Sequence, residues 1–244
     1  MIHYFEHTTS TNDLARGADY RHMDVVWAGS QSAGRGQRGH KWHSIEGENL
    51  TFSVVLEPHF LPIVEQFMLS EVVALALVDT LRNYGLEARI KWTNDIYVGD
   101  SKIAGVLIEQ MLATDHIART IVGIGLNIQQ TDFPDDLPNP TSMRLEGAKG
   151  CSPREVLEAF MLNLERWYSR LVDGEKDAIS QRYNSLLYHR DEPHTYANAS
   201  GERFEATIRR VQPTGHLVLE HADGTISAYA FKEIEFCLPK KRRR

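Results

Sequence analysis

Residues 34 to 44, GRGQRGHKWHS, suit neither a helix nor a strand. Gly34, Gly36 and Gly39 release the backbone restraint that both elements need. Arg35, Arg38 and Lys41 crowd positive charge into the same short stretch, an arrangement that suits a bound anion. The flanks say what this loop opens from. DVVWAGS before it and ENLTFSVVLEP after it carry the β-branched and aromatic residues of strands. The spacing G-x-G-x-x-G invites a dinucleotide reading, but that fingerprint needs its last glycine to open a helix facing the pyrophosphate. Here HKWHSIEGENL follows, with no helical apolar period and a further glycine. Glu57 stands at the right distance for a ribose contact, but it stands alone. The residues fit better a loop that closes over a phosphate or carboxylate, with Trp42 walling a flat ring. The plainer alternative is a surface loop with incidental charge.

A second segment weighs against that alternative. KWTNDIYVGDSKIAGVLIE, residues 91 to 109, places Lys91, Asn94, Asp95 and Lys102 among apolar residues, where unpaired polar groups are costly. Asp95 with Asn94 offers oxygens of the kind a hydrated Mg²⁺ accepts alongside substrate phosphates. Lys102 follows a turn and can meet a carboxylate or a phosphate. Gly105, inside a strand, implies close approach of a ligand or another backbone. GIGLN at 123 to 127 repeats the glycine pattern and adds the amide of Asn127. A satisfied structural role stays open for each polar residue taken singly.

The rest of the chain reads as an α+β protein. Residues 2 to 5 form a short strand, and HTTSTNDLARGA then supplies caps for a helix. Residues 63 to 84 have the spacing of a buried helix that stops at Gly85. RIKW and DIYV are extended, and DIYV turns through a three-residue GDS loop into KIAGVLIEQ. RTIVGIGLNI is another strand. SPRE at 152 to 155 is a capping box with proline at the first helical position, opening a helix to about Val172; a further helix covers roughly 175 to 188. After Pro193, ERFEATIRRV, HLVLEHADG and TISAYAFKEIEFCL are strands joined by QPTG and ADGT turns. The expected division is a domain over 1–190, a small β-barrel over 191–239 and a basic tail over 240–244.

Composition excludes several classes. At 244 residues, 42% hydrophobic and 25% charged, the chain has the make-up of a globular protein. No apolar run approaches the ~20 residues of a membrane span, and the N-terminus lacks the order of a signal peptide. Cys151 and Cys237 stand far apart in no metal-binding spacing, so a cytoplasmic protein with reduced thiols is expected. The net charge of −6 argues against a general polyanion binder. The terminal KKRRR is read as a solvated tail.

In order and spacing, STND at 10 to 13, the glycine loop, the 91–109 segment and GIGLNI resemble the biotin protein ligases. The likeness runs from the first residues to about 130 and is weaker in the C-terminal module. It implies a catalytic domain with a mixed β-sheet flanked by helices, of the class II synthetase-like biotin/lipoyl ligase type, followed by a small SH3-like barrel. It also implies a two-step reaction: biotin and MgATP give biotinyl-5′-AMP, and a lysine of a biotin carboxyl carrier domain then takes the biotin.

Carried over by position, Ser10, Thr11, Asn12 and Gln31 match contacts to biotin's ureido ring and its neighbours. Arg35 and Gly36 match the covering loop, and Gln37, which is arginine in some members, belongs to the same biotin set. Lys102 matches the lysine that bridges carboxylate and α-phosphate, with Gly105 beside the ligand. Trp42 and Asn127 match the adenine side, where Gly34, Arg38, Lys41 and Asn94 are also assigned. Asp95 matches a polar residue near Mg²⁺ and the phosphates. Lys102, Arg35 and Asp95 form the expected catalytic set. Thr93 stands where proline is common and is expected to be tolerated.

Some members carry an N-terminal DNA-binding domain; this chain is expected to start at the catalytic domain and to bind neither DNA nor membrane. The oligomeric state is left open, a homodimer included. Lipoate ligases and octanoyl transferases share the architecture, but their paired glycines and nearby histidine are not found. A non-catalytic nucleic-acid-binding module is the rival from another class, disfavoured by the acidic charge.

Overall fold

All seven side chains of β3, Leu50–Leu56, are buried, and this sets the layering. Alternation along the strand sends Leu50, Phe52, Val54 and Leu56 to one face and Thr51, Ser53 and Val55 to the other, so both faces need cover. The computed structural model describes residues 1–37 and 41–238; Arg38 and the 240–244 tail lie outside them. β3 is third in a seven-stranded sheet ordered β1 (Ile2–Thr8), β2 (Val25–Gln31), β3, β7 (Ile117–Leu126), β6 (Ser101–Leu112), β5 (Asp95–Val98) and β4 (Ala88–Lys91). β1 and β2 run parallel, and the other neighbours pair antiparallel. The sheet is therefore mixed, as the resemblance implied.

One face rests on helices. α2, Phe67–Asn83, buries twelve of its 17 residues because it lies between the sheet and two further helices. α3, Pro153–Val172, turns Val156, Leu157, Phe160, Leu164, Trp167 and Leu171 inward, and Phe160 meets Phe52 edge-on at 5.3 Å. Its start is the expected capping box: the Glu155 amide donates to Ser152 Oγ at 3.2 Å, and the Ser152 amide donates to Glu155 at 3.3 Å. α4, Lys176–Ser185, completes this layer. On the other face the helical cover among the described residues is the short α1, Thr11–Ala15, beneath which Ala15, Val26, Val55 and Ile121 form a small second core. That thin cover leaves room for a cleft.

A second, antiparallel sheet of five strands follows, in the order β11 (Ile226–Tyr229), β10 (Leu217–His221), β9 (Arg203–Val211), β8 (Pro193–Asn198), β12 (Ile234–Phe236). It suits a small SH3-like barrel. Among the described residues, no helix is long and apolar enough to cross a membrane.

Several boundaries differ from the sequence reading for local reasons. The stretch at 63 to 84 begins as a 3₁₀ turn, Ile63–Glu65, and becomes α-helical only at Phe67; Gly85 follows with φ of 77°. The β5–β6 loop holds two residues, because Ser101 already pairs with Val98. β8 was not expected; its leading proline sits at the strand's first residue, where no ladder donor is needed. The expected last strand breaks in two around Lys232, which adopts φ of 80°.

Glu71 of α2 is fully buried, and burial pushes its carboxyl from 4.5 up to about 7 against the hydrogen bond donated by Ser180 at 2.7 Å. Its other oxygen and the hydroxyl of buried Tyr183 have no partner among the described residues. The folded state therefore holds the proton more tightly than the unfolded chain. Stability should fall as pH rises from 4.5 to 7, by roughly 3 kcal/mol if the whole shift is expressed. Glu71→Gln should flatten that slope, and urea melts at pH 5 and pH 8 check it. Equal pH dependence in both proteins would mean that the carboxyl is not protonated in the fold.

Candidate active site

Above the α1-side face of the sheet, the strands lose their side chains. Gly105 of β6 pairs directly with Gly125 of β7, and Gly123 lies two residues away on the same face. A Cβ on Gly125 would stand inside the Trp42 indole, and one on Gly123 inside the Asn12 amide. At Gly105 it would lie 3.2 Å from both Lys102 Nζ and Trp42 Cζ3. These glycines make a flat floor on which other groups lie directly against backbone.

Around the floor runs a cleft of about 490 Å³ including its open mouth. Ser10, Thr11 and Asn12 enter it at the start of α1, and Gln31 at the end of β2. Arg35, Gly36, Gln37 and Trp42 come from the glycine loop, Asn94 and Lys102 from the opposite wall, and Gly105 from the floor itself. Eleven of the residues singled out in the sequence thus share one cleft. Gly34 sits on the loop stem, its carbonyl accepting from the Trp42 amide at 3.1 Å. Lys41 is exposed and bridges to Arg35. Neither lines the cleft. Nor does Asn127, which is buried at the end of β7 and donates to the Thr141 carbonyl at 2.8 Å. Arg38 falls outside the described residues.

The polar wall is prearranged. Gln31 Oε1 accepts from the Thr11 amide at 2.8 Å and its hydroxyl at 3.1 Å. Buried Ser53 donates to Asn12 Oδ1 at 2.6 Å, and Asn12 Nδ2 donates to Glu109 at 2.8 Å. Glu109 also accepts from Arg16 at 2.7 Å and stands 3.4 Å from Arg35, whose guanidinium reaches Asp13 at 2.6 Å. Sequence reasoning missed Ser53 and Glu109. Strand alternation was the available signal: it places Glu109 on the face of Gly105, and Ser53 on that of Thr51.

On the opposite wall, Lys102 Nζ lies 2.6 Å from Asp95 and 5.7 Å from the Trp42 ring. Lys91 approaches the other Asp95 oxygen at 3.9 Å. Asp95 thus stands between two ammonium groups rather than presenting a free carboxylate. Asn94 donates to the Val106 carbonyl at 2.7 Å. Trp42 Nε1 is buried against Gly125 with no acceptor among the described residues.

Two observations exclude the dinucleotide fingerprint. No helix follows the loop between Lys41 and β3. Glu57 is consumed by Arg119 at 2.8 Å, a hydrogen bond that holds its carboxyl below the usual range. Gly125→Ala should therefore fold but unseat the indole, speeding amide exchange in peptides covering Trp42. Unchanged exchange would show that the floor does not anchor the loop.

The model of the biotin/lipoate A/B protein ligase family matches residues 4–127, half of the chain. The bifunctional ligase/repressor BirA of Salmonella typhimurium is 32% identical over 229 residues, spanning 92% of this chain and 71% of the relative. This chain belongs to the biotin/lipoate A/B protein ligase family. The biotin–[acetyl-CoA-carboxylase] ligase of Paracoccus denitrificans is 34% identical over 154 residues, covering 60% of this chain and 63% of its own. Among solved structures, a biotin protein ligase of Aquifex aeolicus in complex with biotin and ATP superposes with a TM-score of 0.80 at 23% identity, over 96% of this chain and 97% of that one. That likeness extends the shared fold through the C-terminal sheet. The chain spans about half the length of the two Bacillus BirA relatives it matches, 49% in each case.

Proposed function

We propose that this chain is a biotin protein ligase, which makes biotinyl-5′-AMP from biotin and MgATP and passes the biotin to one lysine of a biotin carboxyl carrier domain. The observation that carries the reading is a single cleft in which the neutral side chains of Ser10, Thr11, Asn12 and Gln31 and the ammonium of Lys102 line opposite sides of a glycine floor. A uncharged bicyclic ring with a carboxylate tail calls for that combination. Ser10, Thr11, Asn12 and Gln31 would hold the ureido end, with Ser53 orienting Asn12. Arg35, Gly36 and Gln37 would cover the ligand, and Trp42 would take the adenine side with Asn94 and Arg38; Gly34 and Lys41 would act through the loop they shape, and Asn127 by bracing the end of β7 rather than by touching the ligand. Residues 1–190 would form the ligase domain and 191–239 the barrel.

The chemistry asks for a cation between two anions. In the first step a carboxylate oxygen attacks the α-phosphorus and pyrophosphate leaves. In the second, a lysine amine attacks the acyl carbon of the anhydride and AMP leaves. Lys102 would offset the repulsion as carboxylate and phosphate approach, having exchanged Asp95 for them. Mg²⁺ enters as part of the MgATP substrate. Asp95, held by two lysines, would have to release one to bind it. A covering loop keeps the anhydride from water.

Incubation with biotin, MgATP and a carrier domain should add one biotin mass to the carrier. An unchanged carrier, where an established ligase labels it, would overturn the reading, and labelling with lipoate instead would move the chain to the other branch of its family. Lys102→Ala should lose adenylate formation by about 10²–10³-fold and recover a larger share of transfer when biotinyl-5′-AMP is supplied. Pyrophosphate release within about threefold of wild type would leave Lys102 as a structural partner of Asp95.

A further inference from the structure

Between the two sheets, three side chains outside the cleft converge on one point. His189 follows α4 and His194 belongs to β8, with Glu192 between them. One Glu192 oxygen lies 3.4 Å from His189 Nδ1 and 3.5 Å from His194 Nε2, and the three donor atoms all fall within 4.8 Å of one another. These separations are long for N–H···O hydrogen bonds, which centre near ~2.9 Å. They match the edge of a tetrahedron: with metal–donor bonds of about 2.0–2.1 Å, neighbouring donors stand ~3.4 Å apart.

Only one of the two rings is held firmly. The imidazoles rest stacked, 3.4 Å apart between centroids and inclined by 30°, so taking one ion through both requires the partly exposed His194 ring to swing out of the stack, while His189 stays 3.7 Å from the Tyr188 ring. Tyr188 is held on the first sheet, its amide donating to the Ile90 carbonyl at 2.8 Å and its hydroxyl to Asp100 at 2.8 Å. His189 and Asp191 take φ of 57° and 60°, a conformation that side-chain-bearing residues seldom adopt and that here folds the connection back on itself. His189 is largely shielded, while Glu192 remains open to solvent.

We propose that His189, Glu192 and His194 form a binding site for a divalent transition-metal ion of the zinc class. Two imidazole nitrogens and one carboxylate oxygen are a donor set such ions accept, with a fourth position left to water. The ion would join the connection after α4, anchored on β4, to β8 of the second sheet. It would serve as a tie between the two sheets, outside the lining of the cleft, and the inference does not depend on the ligase reading.

The test uses the full chain, untagged and stripped with a chelator. Calorimetric titration with Zn²⁺ at neutral pH should give one equivalent bound, and Co²⁺ should give the intense visible absorption of tetrahedral coordination. Zn²⁺ should also raise the melting temperature. The double variant His189→Gln with His194→Gln should weaken binding at least tenfold and lose both the absorption and the thermal shift. Glu192→Gln, at an exposed position, provides a variant whose fold is not at risk and should weaken binding too. No binding at roughly 0.1 mM Zn²⁺, or the same affinity in wild type and all variants, would overturn the site. A weak octahedral Co²⁺ spectrum would overturn the tetrahedral geometry on which it rests.

Discussion

Gly105 and Gly125 face each other across a central ladder at a point where most sheets would place a cross-strand pair of side chains. Glycine in a strand interior weakens it, by roughly 0.5–1 kcal/mol relative to alanine. The sheet tolerates the loss because β3, buried on both faces, pairs with β7 along all seven of its residues. In exchange, backbone is open to flat groups. The indole of Trp42 occupies part of that surface, and the amide of Asn12 lies over Gly123. Larger residues on the floor would push both away, together with the loop and the helix that carry them. The cleft therefore exists because three side chains are missing from one face of one sheet.

The cations at this cleft do not wait unpaired. Arg35 is held by Asp13 and Glu109, Arg16 by Glu109, and Lys102 by Asp95. These ion pairs are partly exposed, so each contributes little to stability. Their value is different. An anionic ligand gains a cation only by displacing a carboxylate already there, which suits a site that must accept a specific anion and ignore polyanions in general. The overall charge of −6 adds to that discrimination. Glu109 has a further use, because it holds Asn12 and Arg35 from the same carboxylate. A shift of Arg35 toward a ligand would thus alter the support beneath the polar wall.

Much of this is legible in the sequence itself. Strands announced by β-branched runs appeared within a few residues, and the Ser152 capping box opened its helix where the sequence placed it, because such local signals are complete within a few positions. Loop chemistry, strand glycines and the cost of polar groups among apolar neighbours pointed to Arg35, Gly36, Trp42, Asn94, Lys102 and Gly105, while Ser10, Thr11, Asn12, Gln31 and Gln37 came from the resemblance; all eleven line one cleft. The misses were of another kind. Ser53 and Glu109 act through partners 41 and 97 residues away, and a linear reading shows no such neighbours. β8 hid behind a leading proline, a histidine and an asparagine, which read as loop until a sheet supplies partners. Lys102 was expected near phosphate, and in the ligand-free chain it pairs with Asp95, a satisfied structural role of the kind left open for such a residue.

The second sheet also bears on the cleft, although it contributes none of its lining among the described residues. Trp92, just before Thr93 and Asn94, donates its indole N–H to the Gly215 carbonyl at 2.9 Å. Gly215 itself has φ of 86° and sits against Phe67 at the start of α2, so the turn, the helix and the indole meet at one point. On the same side, Lys91 lies 4.7 Å over the Phe236 ring, while Asn184 of α4 accepts from the Val211 amide at 2.6 Å. The short β4–β5 hairpin at the sheet's edge is therefore clamped from the C-terminal side. That hairpin carries Asn94 and Asp95, and Asp95 holds Lys102. An edge hairpin of two four-residue strands has little stability of its own. Its fixed position beside the glycine floor is a property of both sheets together, which gives a physical reason for the small C-terminal unit to accompany the larger one.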